Sequence, residues 1–281
     1  MSNPDSMSLH ALVVKLTALD AGALPGSTGE LAHAAFYAAI AAVDPALSAQ
    51  MHDAQNRKDF SLSPLYGYWQ SPADKRIHVN PGQEGWLRIG LLNDRLFGLF
   101  MQHLLQSSRP SIRLGSVHFA ITEVLGSPGS HPWVGYMTVD QLRALDERPS
   151  RWTLQFESPT AIRWGEADNG TRRVELFPLP RPAIAGLRSR WDKLTGDTWG
   201  RDFEEWVERN VAIGRVWQWE TQPFPYQKQS YVGGLGKLEY RCLDPSNHAN
   251  VAHFNRLLHL AFFAGIGYKT THGLGQVRLV L

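Results

Sequence analysis

The sequence predicts an α+β protein built as two tandem ferredoxin-like (βαββαβ) domains. Three observations predict it. The chain has 281 residues, enough for two modest domains. Hydrophobic residues make up 43% and charged residues 19%, with ten Trp, twelve Phe and eight Tyr, so each half can bury a core and wholesale disorder is excluded. Strand and helix patterns follow the same order in both halves, and residues 126–135, rich in Gly, Pro and Ser, separate them. The domains are expected at 1–126 and 151–281, with 127–150 as a linker.

In the first half, Leu9 to Leu19 is rich in Leu and Val and suits a buried strand. Pro25-Gly26-Ser27 ends it. Ser27 with Glu30 three residues later is a capping-box pattern, and Leu31, Ala35, Ala38, Ala39 and Ala42 recur at helical spacing. Asp44-Pro45 looks like an N-cap followed by proline at the first helical position, opening a short helix to about Asp53. Ser63 to Gln70 and Trp86 to Leu92 are expected strands. Asp94 is expected to cap a helix through Gln106, with Leu96, Phe97, Phe100, Leu104 and Leu105 inward. Ile112 to Leu125 closes the unit.

The second half repeats the theme. Trp152 to Phe156 is a strand, and Pro182 to Leu194 and Asp202 to Val211 are helices. Val216 to Thr221 and Tyr231 to Cys242 are separate strands or one long hairpin. Asn250 to Ala264 is an amphipathic helix, and Gln276 to Leu281 the final strand.

Several functional classes fall away. No stretch approaches the ~20 apolar residues of a membrane span; the longest, Leu257 to Ile266, contains His259. Met1 to Met7 is polar and does not suggest a signal peptide. Cys242 is the single cysteine, so no internal disulfide is expected and a cytoplasmic setting fits. The net charge is +2, divided as −2 over residues 1–140 and +4 over 141–281. That points to the second half as the surface for a polyanion, although so small an asymmetry also arises by chance.

The sharpest motif is near the C-terminus. Gly265, Gly267, Gly273 and Gly275 bracket Lys269, Thr270 and Thr271. Glycines let backbone N–H groups approach phosphate oxygens. A Walker A loop fails, because Tyr268 stands where that motif needs Gly before Lys. A dinucleotide fingerprint fails, because this loop follows a helix and precedes a strand. The plainer alternative is a sharp helix-to-strand turn with a glycine C-cap.

Phe262 through Gln276 resembles the C-terminal glycine-rich signature of the CRISPR repeat-processing endoribonucleases of the RAMP superfamily. Ser158-Pro159-Thr160 resembles a second family pattern. Asp44-Pro45 through Phe60, followed by Ser63-Pro64-Leu65, resembles a third, so the likeness touches both halves. The resemblance implies metal-independent cleavage of CRISPR repeat RNA into guide units, without a cofactor. A ribose 2′-OH would attack the adjacent phosphodiester, leaving a 2′,3′-cyclic phosphate and a 5′-OH. It also allows a homodimer and association with a CRISPR effector complex. The alternative is a non-catalytic relative that holds guide RNA in such a complex.

The resemblance also implies site residues. His52 lies in Leu47–Asp53, similar to the stretch that carries the catalytic histidine, as general acid or base. Lys58, six residues later, would steady the phosphate. Tyr37, fifteen residues before His52, would be the second acid/base partner. His33 and Arg57 stand in reserve. RNA contacts are expected from Gly265, Gly267, Lys269, Thr270, Thr271, Gly273 and Gly275, and from Arg181 and Arg188. These two arginines belong to a basic stretch with Arg163, Arg172, Arg173, Arg190 and Lys193. Trp191, Trp217 and Trp219 either stack on bases or fill the core. No metal is expected: His248, His253 and His259 are not spaced to share one helix face.

Overall fold

The computed structural model of the protein describes residues 7–53, 58–226 and 229–280. The first unit runs β1 (Ser8–Ala18), β2 (Gly22–Pro25), α1 (Gly29–Val43), α2 (Pro45–Asp53), β3 (Phe60–Leu62), β4 (Arg76–Val79), β5 (Glu84–Leu91), α3 (Asp94–Leu105), β6 (Ser111–Leu114) and β7 (Val117–Leu125). Its sheet has the order β3-β5-β1-β7-β6, antiparallel throughout. The second unit runs β9 (Arg151–Thr160), β10 (Ile162–Glu166), β11 (Arg172–Glu175), α5 (Pro180–Thr195), α6 (Arg201–Asn210), β12 (Val211–Tyr226), β13 (Gln229–Cys242), α7 (His248–Ala264) and β14 (Val277–Val280). Its antiparallel sheet has the order β12-β13-β9-β14. In each unit the opening strand lies between the third and the last strand of the βαββαβ plan. The two tandem ferredoxin-like folds expected from the sequence are therefore present.

Several local expectations are corrected. The Ser27–Glu30 capping box does not form: Thr28 is the N-cap of α1 without a side-chain cap bond, and its hydroxyl instead accepts from the Leu65 N–H at 2.7 Å. Ser63–Gln70 is not a strand. Pairing with β5 is regular only over Phe60–Leu62, and Pro64 then removes a ladder donor. Asn93, not Asp94, caps α3, while the Asp94 carboxylate accepts from the Ser8 N–H at 2.8 Å. Leu105 faces outward, 82% exposed. Ile112–Leu125 breaks at Gly115, whose φ of 60° makes the turn of the β6–β7 hairpin. The 127–150 segment carries β8 (Gly135–Thr138), paired with Ser8–Ala11 of β1, and α4 (Val139–Ala144).

Each sheet buries one face under its helices. In the first unit Phe36, Ile40, Phe60 and Phe100 pack on β1 and β5. In the second, Leu154, Trp191, Tyr240, Phe254 and Leu257 form the core. That second core also takes in Leu9, Ala11, Leu92, Val139 and Leu142, so apolar packing runs across from one unit to the other. At ~1.5–3 kcal/mol per fully buried large aliphatic side chain, this shared core is a main source of cohesion.

A buried polar seam joins the units too. Arg88 on β5 is only 1% exposed. It donates to the Trp133 carbonyl at 3.0 Å, to Gln276 Oε1 at 2.7 Å and to the Phe262 carbonyl. Its guanidinium lies 4.5 Å from the Phe262 ring centroid and 5.4 Å from that of Trp133. Gln276 in turn donates to the Leu62 carbonyl at 3.0 Å, and Ser61 donates to the Phe263 carbonyl at 2.7 Å. Among the described residues no helix is long and apolar enough to cross a membrane.

Candidate active site

Helix α1 places His33 and Tyr37 one turn apart, so both point to the same side. Asp44 caps α2 by accepting from the Leu47 N–H at 2.9 Å, which sets the bend between α1 and α2. That bend brings His52, in the last turn of α2, to the Tyr37 ring: centroids 5.8 Å apart, planes at 87°. Tyr37 donates to the Met51 carbonyl at 3.1 Å, and Lys58 Nζ donates to the same carbonyl. Tyr37, His52 and Lys58 thus lie close together. Arg57 lies outside the described residues.

The glycine-rich turn of the second unit closes the other side. A 3-10 turn, Thr270–His272, sits against the start of α1 and against β3. The His33 Nδ1–H donates to the Thr271 carbonyl at 3.0 Å. The His33 and His272 rings stack with centroids 3.9 Å apart and planes within 17°. Tyr37 lies 4.6 Å from His33, ring centroid to ring centroid, with the planes tilted by 45°. His33, the reserve candidate, is therefore central, and His272 joins the group without having been assigned a role.

The electrostatics follow from this packing. Burial pushes His33 down to about 4; the Thr271 hydrogen bond opposes this, and Lys269, His52 and Lys58 add repulsion. Burial pushes His272 down to about 3, with further repulsion from His33, Lys269 and Lys58. Burial raises the Tyr37 phenol. His52 is exposed. A groove of about 480 Å³ opens beside it, lined by Tyr37, Ala41, Pro45, Ser48 and His52 among others. A larger hollow of about 630 Å³ lies against Lys15, Trp86 and His131, away from these rings.

The turn is mostly folded inward. Gly265, Gly273 and Gly275 are buried, with φ of 71°, 91° and 70°. A Cβ on Gly273 would lie 2.9 Å from Gly29 Cα, and one on Gly29 would overlap the His272 carbonyl. These glycines serve close approach of backbone to backbone, and Gly265 is the C-cap of α7. The hydroxyl of Thr270 takes a hydrogen bond from Arg190 at 2.9 Å, and Thr271 is buried. The accessible residues of the turn are Gly267, Tyr268, Lys269 and, in part, His272. Arg163 reinforces it, its guanidinium 3.5 Å from the Tyr268 ring centroid.

Arg181 and Arg188 are placed differently from expectation. Arg188 donates to Glu204 at 2.6 Å, and Arg181 pairs with Glu208, so both bind α5 to α6. Lys193 pairs with Asp59 at 2.5 Å across the units. Trp191 is core at 1% exposure, whereas Trp217 is surface, flanked by Arg215 and Lys237 at 5.1 Å each. Among the described residues no group of three or more His, Cys, Asp or Glu is placed to hold a metal ion.

Comparison with known proteins decides the family. The CRISPR Cas6 N-terminal domain profile matches residues 8–144, and that of the CRISPR-associated endoribonuclease Cas6 matches residues 154–277. The chain belongs to the Cas6 endoribonuclease family. As a Cas6 it is an endoribonuclease that processes precursor CRISPR RNA. A Cas6 product complex is 26% identical, with a TM-score of 0.81 over 98% of this chain and 100% of that one. Thermus thermophilus Cas6 is 25% identical, with a TM-score of 0.72 over 98% and 99%. A further Cas6 product complex, 24% identical, shares the fold with a TM-score of 0.75 over 98% and 100%. No curated protein matches the sequence.

Proposed function

We propose that this Cas6 cuts CRISPR repeat RNA by in-line attack of a ribose 2′-OH, with His33 as general base and His52 as general acid. The 2′ oxygen bonds to phosphorus as its proton passes to His33 Nε2. The bond from phosphorus to the 5′ oxygen breaks as His52 protonates that oxygen. The products are a 2′,3′-cyclic phosphate and a 5′-OH. The carrying observation is the run of three rings, His33, Tyr37 and His52, beside the Lys58 ammonium.

A base must be neutral at working pH, and burial keeps the His33 ring so. His33 is buried and hydrogen-bonded through Nδ1. His52 is exposed in the last turn of α2, beside the groove that Tyr37 and Ser48 also line. Lys58 and Lys269 supply positive charge for the phosphorane. Tyr37 spends its hydroxyl proton on the Met51 carbonyl and acts mainly as the spacer between the imidazoles.

The experiment is single-turnover cleavage of repeat RNA in excess chelator. Wild type should cut, and His33→Ala and His52→Ala should each lose ~10²–10⁴-fold, the usual worth of one acid/base group. A 2′-deoxy substitution at the cleaved nucleotide should stop the reaction, and the product should carry a cyclic phosphate. Full-rate cutting of the 2′-deoxy substrate would refute the mechanism. A cytoplasmic site of action fits the lone Cys242 and a transcript substrate. Association with a second copy or an effector complex is proposed on family grounds and is checked by sedimentation with and without RNA.

A further inference from the structure

We propose that His272 is a positioning residue for RNA cleavage that acts through His33, an inference resting on the general-base role given to His33 above. One turn of the second unit makes two contacts with one ring of the first. The Thr271 carbonyl can only accept, so at 3.0 Å His33 Nδ1 must carry the proton. The neutral ring then bears its lone pair on Nε2, the nitrogen assigned to the 2′-hydroxyl. His272 covers a face of the same ring at 3.9 Å. Tyr37 at 4.6 Å and Phe60 at 5.9 Å bound it elsewhere. His33 therefore has one tautomer and little freedom to turn.

The turn that provides these contacts is itself held firmly. The His272 N–H donates to the Lys269 carbonyl at 2.8 Å, and the Thr271 hydroxyl lies 2.8 Å from His272 Nδ1. Arg190 ties Thr270 and the Ala264 carbonyl together at 2.9 and 2.5 Å. The charged or titratable groups around His33 are Lys269 and His272 from the turn, His52 from α2, Lys58 before β3, and Tyr37 and Glu30 on its own helix. Lys269, His52 and Lys58 repel a proton on His33, and the stacked ring keeps water from one face. Removing His272 should admit water and let His33 charge nearer neutral pH. A side chain that merely fills space would leave the titration of His33 unmoved.

The test is NMR titration of the His33 ring in the full-length protein, paired with pH profiles of single-turnover cleavage. His272→Ala should raise the His33 midpoint by about one unit or more toward 6.5, and the acidic limb of the rate profile should move with it. His272→Phe keeps an aromatic cover and should leave both near wild type. Should the alanine variant fail to fold, His272→Ser, too short to cover the ring, replaces it with the same expectation. An unmoved His33 midpoint in the uncovered variant overturns the role of His272. So does an equal rate loss at every pH in the Phe and uncovered variants. Full-rate cutting by His33→Ala would instead refute the base assignment, whatever the titration shows.

Discussion

Arg88 of the first unit and Gln276 of the second meet side chain to side chain at 2.7 Å in a buried seam. Among the described residues no carboxylate pairs with this guanidinium; its partners are carbonyl oxygens and two aromatic faces. It anchors the end of α7, from which the glycine-rich turn departs. Arg88→Met would leave three acceptors unpaired. Each buried orphan costs about 1–3 kcal/mol, so urea denaturation should show a loss on the order of 3 kcal/mol or more. Arg88→Lys should not recover it fully, since an ammonium lacks the planar fork. A methionine variant as stable as wild type would show that the seam is dispensable.

Gly29 and Gly273 let the backbones of the two units touch. Gly29→Ala drives a methyl into the His272 carbonyl, and the shift needed should cost about 1–3 kcal/mol. Because that carbonyl belongs to the turn beneath His33, cleavage should fall more steeply than thermal stability. Melting curves and rates on the same preparation check this. Equal, small losses would mean the turn can slide without harm.

Acid should loosen the protein in a defined window. His33 and His272 titrate near 4 and 3 when folded, against 6.5 when free, chiefly because of burial. Above 6.5 both states are neutral and these residues add no pH dependence. Below it the unfolded chain binds protons that the folded chain refuses, so stability falls as pH drops from about 6.5 towards 3. His253, pushed to about 4 by burial beside Trp199, adds to the same fall. His272→Phe removes one such proton and should flatten the slope by about 1.4 kcal/mol per pH unit. A parallel slope would contradict the burial of that ring.

Lys269 combines a charge with left-handed backbone, φ 58°. Lys269→Gly relieves a conformation that costs a side-chain-bearing residue about 1–2 kcal/mol, so it should hold or raise stability while weakening RNA binding. Lys269→Ala should weaken binding more than it destabilises. Titrations with uncleavable 2′-deoxy repeat RNA across a salt series should show a slope reduced by about one in either variant. Unchanged affinity in both would assign the turn to architecture alone.

Much of this was legible in the chain itself. The Asp44-Pro45 start of α2 and the paired units stood out because caps and periodicity are local. His52, Tyr37 and Lys58 converge because one short helix carries His52 and the other two lie in the segments on either side of it. What was hidden depended on distance. The stack of His33 with His272, and the hold of Thr271 on the His33 ring, join residues more than two hundred positions apart. Only the presence of His272 inside the glycine motif hinted at them. Arg181 and Arg188 looked like a phosphate-binding edge, because nothing local announces that α6 supplies their carboxylates. Pro64 gave a readable warning that the strand placed over Ser63–Gln70 would stop short.

The shared seam makes this nuclease an indivisible tool. Severed between its two sheets, the polypeptide should yield halves that are each silent, one holding His33, Tyr37 and His52 and the other the turn that packs on them. Their reunion, driven by any pair of fused interacting partners, would be announced by a cut transcript.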